Sequence, residues 1–189
     1  MDDVALIVID VQCGLDELRL GRRNNPEAES NMARLLAHWR TCGRPLVHIQ
    51  HASTEPNSPL RPERPGFAIK ACVQPQNGEA HFVKSVNSAF IGTPLESWLR
   101  DRDVTRVVMI GLTTEHCVST SVRMAANLGL DVVLVEDATA AFAKSAPDGD
   151  EIDADTVHRV NILSLQGEFC RVAGTDQLLR ADTWQTCAL

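Results

Sequence analysis

The amino-acid sequence predicts a three-layer α/β fold, in which a doubly wound, mostly parallel sheet of about six strands lies between helices. Strand-length apolar runs alternate with segments of helical periodicity, as in βαβ units. The first run, VALIVID at residues 4–10, is almost uninterrupted, which is typical of a strand covered on both faces. Right-handed crossovers would then place helices on both sides of the sheet.

Three strands and two helices are predicted in the first half of the chain. Asn25 and Pro26 suit the N-cap and the first position of a helix, and Thr93 with Glu96 forms a capping-box pattern. A loop as long as 52–80 is usually functional or an interface. The predicted elements are a strand over 4–10, a helix from Asn25 to Gly43, strands over 45–51 and 82–84, and a helix from Thr93 to about Arg102.

The second half continues the same alternation. The predicted elements are a strand over 106–111, a helix from near Glu115 to Gly129, a strand over 131–136, a helix over 152–165, a short strand over 168–172 and a final turn or helix over 176–179. No GxGxxG motif follows a strand, which argues against a dinucleotide-binding domain.

Composition indicates one globular domain over residues 1–189. Charged residues make up 23% and the net charge is −7, which argues against a nucleic-acid partner. No apolar run approaches the roughly 20 residues of a membrane span. The six cysteines are scattered without CxxC spacing, and the first residues lack a basic region, so we expect reduced thiols and a cytoplasmic location.

Three reactive side chains follow predicted strands. Asp10 ends the first strand, Lys84 ends the third, and Cys117 lies near the start of the helix after the fourth. Ligands bind at the carboxyl ends of the strands in open parallel sheets, so these three should meet in one crevice. The helix start should lower the pKa of the Cys117 thiol, and partial burial should raise that of Asp10.

The sequence resembles the isochorismatase-like cysteine hydrolases, a superfamily that includes nicotinamidases and N-carbamoylsarcosine amidohydrolase. The matching segments, which cover nearly the whole chain, are LIVIDVQ with Asp10, FVKSVNSAF with Lys84, GLTTEHCVSTSVRMA with Cys117, VEDATAAF with Asp137, and HRVNILSLQGEF. The resemblance implies that Asp10, Lys84 and Cys117 form a catalytic triad. It also implies homo-oligomers and a cis peptide at Leu112–Thr113, with an oxyanion hole formed by the N–H groups of Thr113 and Cys117.

We therefore expect a small-molecule hydrolase that needs no cofactor. Cys117 would attack an amide, carbamoyl or ureido carbonyl, Asp10 would move the proton, and Lys84 would stabilise both charged groups. Candidate pocket residues are Gln12, Asn87, Phe90 and His116, and Cys13 is close enough to line the pocket. His116 is a rival base, although neighbours on a helix point about 100° apart.

A metal site is not expected. Nicotinamidases of this family carry an Asp-x-His pair and a further His, whereas this chain has His48-Ile-Gln-His51. Residues 48 and 51 fall on opposite faces of a strand. We expect His51 to line the pocket or to hydrogen-bond the long loop, and nicotinamide not to be the preferred substrate.

Two alternatives stay open from the sequence, together with the substrate itself. One is isochorismatase-type enol-ether hydrolysis, against which Cys117 argues, and the other is an inactive interaction module. Specificity would lie in loops 13–25, 52–80 and 138–151. Loop 52–80 carries the closely spaced prolines Pro56, Pro59, Pro62 and Pro65 and three apolar residues, Leu60, Phe67 and Ile69. This combination predicts a homodimer or homotetramer interface, with a lid over the site as the alternative.

Overall fold

A parallel sheet of six strands forms the centre of the structure, a computed structural model that describes residues 4–17 and 21–180. Two very short strands, β6 (Lys144–Ser145) and β7 (Glu151–Ile152), form a separate antiparallel ribbon. The strands of the main sheet are β1 (Val4–Ile9), β2 (Leu46–His51), β3 (Ala80–Lys84), β4 (Arg106–Leu112), β5 (Asp131–Ala140) and β8 (Arg171–Ala173).

The strand order confirms a doubly wound sheet. The order is β3-β2-β1-β4-β5-β8, and each neighbouring pair is parallel. The chain winds outward from β1 to β3, returns to the centre, and winds the other way from β4. The direction therefore reverses between β1 and β4, and ligands of such sheets bind outside the carboxyl ends of the strands at that point.

Helices cover both faces, as the apolar pattern of the first strand predicts. The side chains of β1 alternate between two apolar clusters, with Val4, Leu6 and Val8 in one cluster and Ala5, Ile7 and Ile9 in the other. One face packs against α1 (Ala28–Thr41) and α5 (Thr175–Arg180), and the other against α2 (Leu95–Arg100), α3 (Ser119–Asn127) and α4 (Ala154–Leu165).

One predicted helix cap is wrong and the other forms in part. α1 begins at Ala28, and Asn25 instead has φ +43° and donates hydrogen bonds to the carbonyls of Glu136 and Thr139. At the start of α2 the Thr93 hydroxyl accepts from the Leu95 N–H, as an N-cap does, while Glu96 pairs with Arg100 rather than completing the capping box. Long-range partners in β5 thus replace the first cap, and a nearby guanidinium takes half of the second.

The start of α4 also differs from the prediction. Ile152 belongs to β7, and the helix begins at Ala154, where Asp153 accepts a hydrogen bond from the Thr156 N–H. This is the N-cap arrangement in which a carboxylate satisfies a free amide of the first turn.

Loop 52–80 packs back onto its own chain. Ile69 packs against the core, Val73 is fully buried, and the N–H of Lys70 donates to the carbonyl of Val11. The expectation that this loop needs a partner subunit to bury its apolar residues is therefore wrong for Ile69. Leu60 and Phe67 stay half-buried.

Among the described residues, none of the helices has both the length and the apolar character that crossing a bilayer requires. Cys13, Cys42, Cys72, Cys117 and Cys170 are free thiols. Cys187 lies outside the described residues.

Candidate active site

Three elements bring Asp10, Lys84 and Cys117 together at the carboxyl edge of the sheet. Asp10 directly follows β1, and Cys117 lies in a π-helical turn, Thr114–Val118, that links β4 to α3. Lys84 ends β3, which is two strands away from β1. A long side chain is therefore needed to carry a charge from β3 to the point where the sheet reverses.

The Lys84 ammonium is the centre of the cluster. Its Nζ lies 2.6 Å from Asp10 Oδ2 and 3.4 Å from Cys117 Sγ. The Lys84 side chain is fully buried and that of Asp10 is 2% exposed. Charges this deeply buried are tolerated only when they are paired and hydrogen-bonded, so the pair holds a defined geometry.

Asp10 is arranged as a proton acceptor. Its φ of +52° is a left-handed conformation that Asp tolerates better than most residues, and it turns the chain sharply after β1. Burial raises the pKa of its carboxyl above the ordinary 3.8, against the opposing charge of Lys84. The buried Oδ1 has no hydrogen-bond partner among the described residues that meets the usual geometry, although the nearby Cys117 thiol acts to lower the pKa of Asp10, so this oxygen can take a proton.

The Cys117 thiol is protonated at rest, and the predicted lowering of its pKa is wrong. Burial, followed by the negative charge of Asp10, raises the pKa of the thiol to about 12, although Lys84 opposes this. The helix start does not dominate because the thiol is shielded from water next to a carboxylate. A thiolate at Cys117 would therefore require transfer of its proton to a neighbouring base.

Gly111 allows the strands that carry the base and the nucleophile to lie side by side. Its φ is +132°, and a Cβ at this position would lie 2.1 Å from the carbonyl oxygen of Ile9. The peptide bond between Leu112 and Thr113, which follows directly, is cis, as the resemblance implies. Any residue other than glycine at 111 would push β4 away from β1.

Gln12 and His51, which sequence reasoning placed at the pocket, form a support for the triad instead. Gln12 is fully buried, and its side-chain amide bonds the backbone N–H and C=O of His51 and the C=O of Phe67. The His51 ring lies 3.1 Å from Lys84 Nζ through Nδ1. This contact was missed, although the parallel register pairs the two strand ends, His51 with Lys84.

The other candidate pocket residues differ in their exposure and in their distance from the thiol. Asn87 is exposed, with its Oδ1 3.8 Å from Cys117 Sγ. Phe90 packs partly against the core. The His116 side chain is 54% exposed and its Nδ1 lies 3.1 Å from the hydroxyl of Thr113, so the structure offers Asp10 rather than His116 as the base beside the thiol.

The residues of the site do not fit a metal ion. Asp10, His51 and Cys117 each offer a ligand atom, and these atoms lie within 4.8 Å of one another. Oxygen, nitrogen and sulfur ligands suit zinc. However, the Lys84 ammonium lies among them within hydrogen-bonding distance of all three, and a divalent cation would face this buried positive charge.

A carboxylate, a thiol and a buried ammonium thus meet at the switch point of a doubly wound sheet, which is where such folds bind their ligands. The Isochorismatase domain model matches residues 4–176. The chain belongs to the isochorismatase family and is a hydrolase of that family.

The chain is similar over most of its length to two members of the family and, at lower identity, to an amidohydrolase. The isochorismatase family protein YrdC of Bacillus subtilis is 46% identical over 175 residues, 93% of this chain and 94% of YrdC. A crystal structure of an isochorismatase-family hydrolase from Chromobacterium violaceum has a TM-score of 0.91 and 45% identity, covering 95% and 94% of the two chains. The ureidoacrylate amidohydrolase RutB of Variovorax paradoxus is 25% identical, with 95% and 81% covered.

Proposed function

We propose that the protein cleaves a C–N bond of a small amide, carbamoyl or ureido compound through a thioester at Cys117. The observation that carries this proposal is that one buried ammonium, Lys84, contacts both the carboxylate of Asp10 and the sulfur of Cys117. A base, a nucleophile and a fixed positive charge thus share one site. The relative named ureidoacrylate amidohydrolase supports the choice of bond.

Acylation begins with proton transfer. Asp10 takes the thiol proton while Cys117 Sγ bonds to the carbonyl carbon, and the carbonyl oxygen becomes an oxyanion. A carboxyl whose pKa is raised is better matched to this task at neutral pH than an ordinary aspartate. Lys84 offsets the negative charge that passes from carboxylate to sulfur.

The leaving group departs in the second step. The oxyanion collapses, the C–N bond breaks, and the nitrogen takes the proton from Asp10 and leaves as an amine or ammonia. Water then attacks the thioester and gives a proton to Asp10. Collapse of this second intermediate releases the acid product, and the proton returns to Cys117, so the site is restored.

The oxyanion would be stabilised by the backbone N–H groups of Thr113 and Cys117. The N–H groups of His116 and Val118 both donate to the carbonyl of Thr113, and Cys117 lies between them in the first turn. Amides in the first turn of a helix face its N-terminal end, where they can bind an anion. Asn87, Phe90 and His116 would contact the remainder of the substrate.

The reaction is proposed to need no metal. Lys84 supplies the positive charge at the point that the three possible metal ligands surround. Dialysis against a strong chelator should leave the rate unchanged. Loss of activity that zinc or iron specifically restores would contradict this part of the proposal.

The proposal is tested by measuring ammonia release from a panel of amides, ureas and carbamoyl compounds, with an enol ether included. Cys117→Ala should fall below about a hundredth of the wild-type rate, because losing a nucleophile usually costs far more. Cys42→Ala is the matched control, since Cys42 is an exposed thiol just after α1. A thioester adduct of Cys117 should appear by mass spectrometry. Hydrolysis that survives in Cys117→Ala would refute the mechanism.

We also propose that the protein assembles as a homodimer or homotetramer. Support comes from half-buried Leu60 and Phe67 on loop 52–80, and from exposed Val83 on β3, the edge strand of the sheet. Light scattering at micromolar concentration tests this, and a mass near 20.7 kDa, that of a monomer, would contradict it.

A further inference from the structure

The Lys84 ammonium has a third partner that the proposed mechanism does not use. β2 and β3 are parallel and in register, so their last residues, His51 and Lys84, are directly paired. His51 Nδ1 lies 3.1 Å from Lys84 Nζ, close to the distances that join Nζ to Asp10 and Cys117. An ammonium has three N–H donors and no acceptor. Its three donors thus meet three acceptors, an oxygen, a nitrogen and a sulfur.

We propose that His51 is a positioning residue that fixes the Lys84 ammonium between Asp10 and Cys117. This inference rests on the proposed function of the triad, which it deepens. Without His51, one proton of a fully buried ammonium would lack an acceptor. Leaving a buried donor unsatisfied is costly, so the side chain would move toward another acceptor and away from the geometry that serves both carboxylate and thiol.

His51 is itself held in the orientation that this role requires. Nδ1 lies 3.1 Å from Lys84 Nζ, and it must be the acceptor there because an ammonium can only donate. The backbone N–H and C=O of His51 are both bound by the side chain of Gln12. The ring is therefore fixed by β3 on one side and by the segment after β1 on the other.

A neutral ring suits this position better than a charged group. Burial, together with the positive charge of Lys84, lowers the pKa of His51 to about 4, so the imidazole is uncharged at neutral pH. A neutral acceptor orients the ammonium without competing for its charge, whereas a second carboxylate would draw that charge away from Asp10.

The first test uses His51→Leu, which removes the acceptor, and His51→Asn, whose Oδ1 can take the place of Nδ1. His81→Asn is the control, because His81 is exposed near the beginning of β3. His51→Leu should lower both kcat and the rate of Cys117 alkylation by iodoacetamide about 10- to 100-fold, with KM nearly unchanged. His51→Asn should recover most of both rates. A change in KM alone, or equal losses in the two variants, would overturn the inference.

The alkylation rate requires no substrate, which separates this inference from the proposed function. If no compound in the panel is hydrolysed but alkylation depends on His51 as stated, the proposed function fails and the positioning role stands. If hydrolysis occurs but the alkylation rate does not change in His51→Leu, the proposed function stands and the positioning role fails.

A second measurement needs no variant and so does not depend on whether His51→Leu folds. Nitrogen-15 NMR of the wild-type imidazole at neutral pH should show a neutral ring with the proton on Nε2, and the ring should stay neutral well below pH 6.5. A protonated ring at pH 6, or a proton on Nδ1, would contradict the role.

Discussion

Two buried lysines in this protein each bind carboxylates, with opposite consequences. Lys84 lies 2.6 Å from Asp10. Lys70, in loop 52–80, lies 2.5 Å from Asp16 and 2.6 Å from Glu29. Burial raises the pKa of Asp10 despite its lysine. Burial also acts to raise the pKa of Glu29, but its hydrogen bonds outweigh this and hold it at about 2.

The number of donors explains the difference. Glu29 receives a bidentate Arg23 as well as Lys70, and its side chain is 16% exposed. Asp10 has a single charged donor, is almost completely buried, and has the weakly donating thiol of Cys117 as its other neighbour. Additional charged donors make a carboxylate permanently ionised and therefore structural. One charged donor in a dry site leaves the carboxylate able to accept a proton.

Neutral replacement of the two carboxylates should separate their roles most clearly. Asp10→Asn removes the base, and kcat/KM should fall about 10²–10⁴-fold, as when general base catalysis is lost. Glu29→Gln should keep kcat/KM within about threefold, because Glu29 lies outside the triad. Steady-state kinetics on an active compound measures both, and similar losses in the two variants would abolish the distinction.

Replacing the lysines gives the next largest contrast. Lys84→Met should lower kcat about 100-fold or more, since the fixed charge beside the developing thiolate is lost. Lys70→Met should leave kcat nearly unchanged but lower the free energy of unfolding by about 1–3 kcal/mol, the cost of removing a partner from a buried polar group. Urea unfolding and kcat are measured for both variants. A large loss of kcat in Lys70→Met, with kcat unchanged in Lys84→Met, would contradict the roles given to the two lysines.

The acid side of the pH profile tests the raised pKa of Asp10. Asp10 must be deprotonated to act, so activity should be lost as pH falls through a value above the ordinary 3.8. Lys84 lowers the pKa of Asp10, so residual activity in Lys84→Met should be lost at a higher pH. In Glu29→Gln, activity should be lost at the same pH as in the wild type. If the pH at which activity is lost shifted in Glu29→Gln and not in Lys84→Met, the assignment of Asp10 as the base would be refuted.

The smallest expected effect concerns acid stability. The folded-state pKa of Glu29, about 2, lies below its ordinary value of 4.5. Its contribution is therefore fully present above pH 4.5 and is lost as pH falls toward 2. Glu29→Gln should be about 3 kcal/mol less stable near pH 6, and the gap should close between pH 4.5 and 2. A gap that is constant with pH would indicate lost packing rather than lost charge.

The doubly wound parallel sheet and the three reactive residues could be predicted because they depend on chain-wide patterns. A β-branched run, the alternation of strands and helices, and the position of Asp10, Lys84 and Cys117 at strand ends together define one crevice. Burial on both faces of β1 likewise follows from its continuous apolar run.

The protonation state of the thiol and the start of α1 could not be predicted, for a shared reason. Each depends on partners distant in sequence. Position within a helix suggested a low pKa for Cys117, but burial and Asp10 dominate. Asn25 has the chemistry of an N-cap, but β5 carbonyls use its amide. Only the His51–Lys84 contact had a usable signal, which is that paired ends of parallel strands place their side chains together.

The way loop 52–80 is attached bears on how this site can acquire new substrates. Gln12, just after β1, and Gln50, in β2, both donate to one backbone carbonyl in the loop, that of Phe67. A backbone acceptor is provided by any amino acid at that position. The side chain at position 67 is therefore free to vary over generations, while the loop keeps its place and the glutamine that also holds His51 keeps its partner. Substitutions here can change the shape of the pocket without moving the reactive side chains.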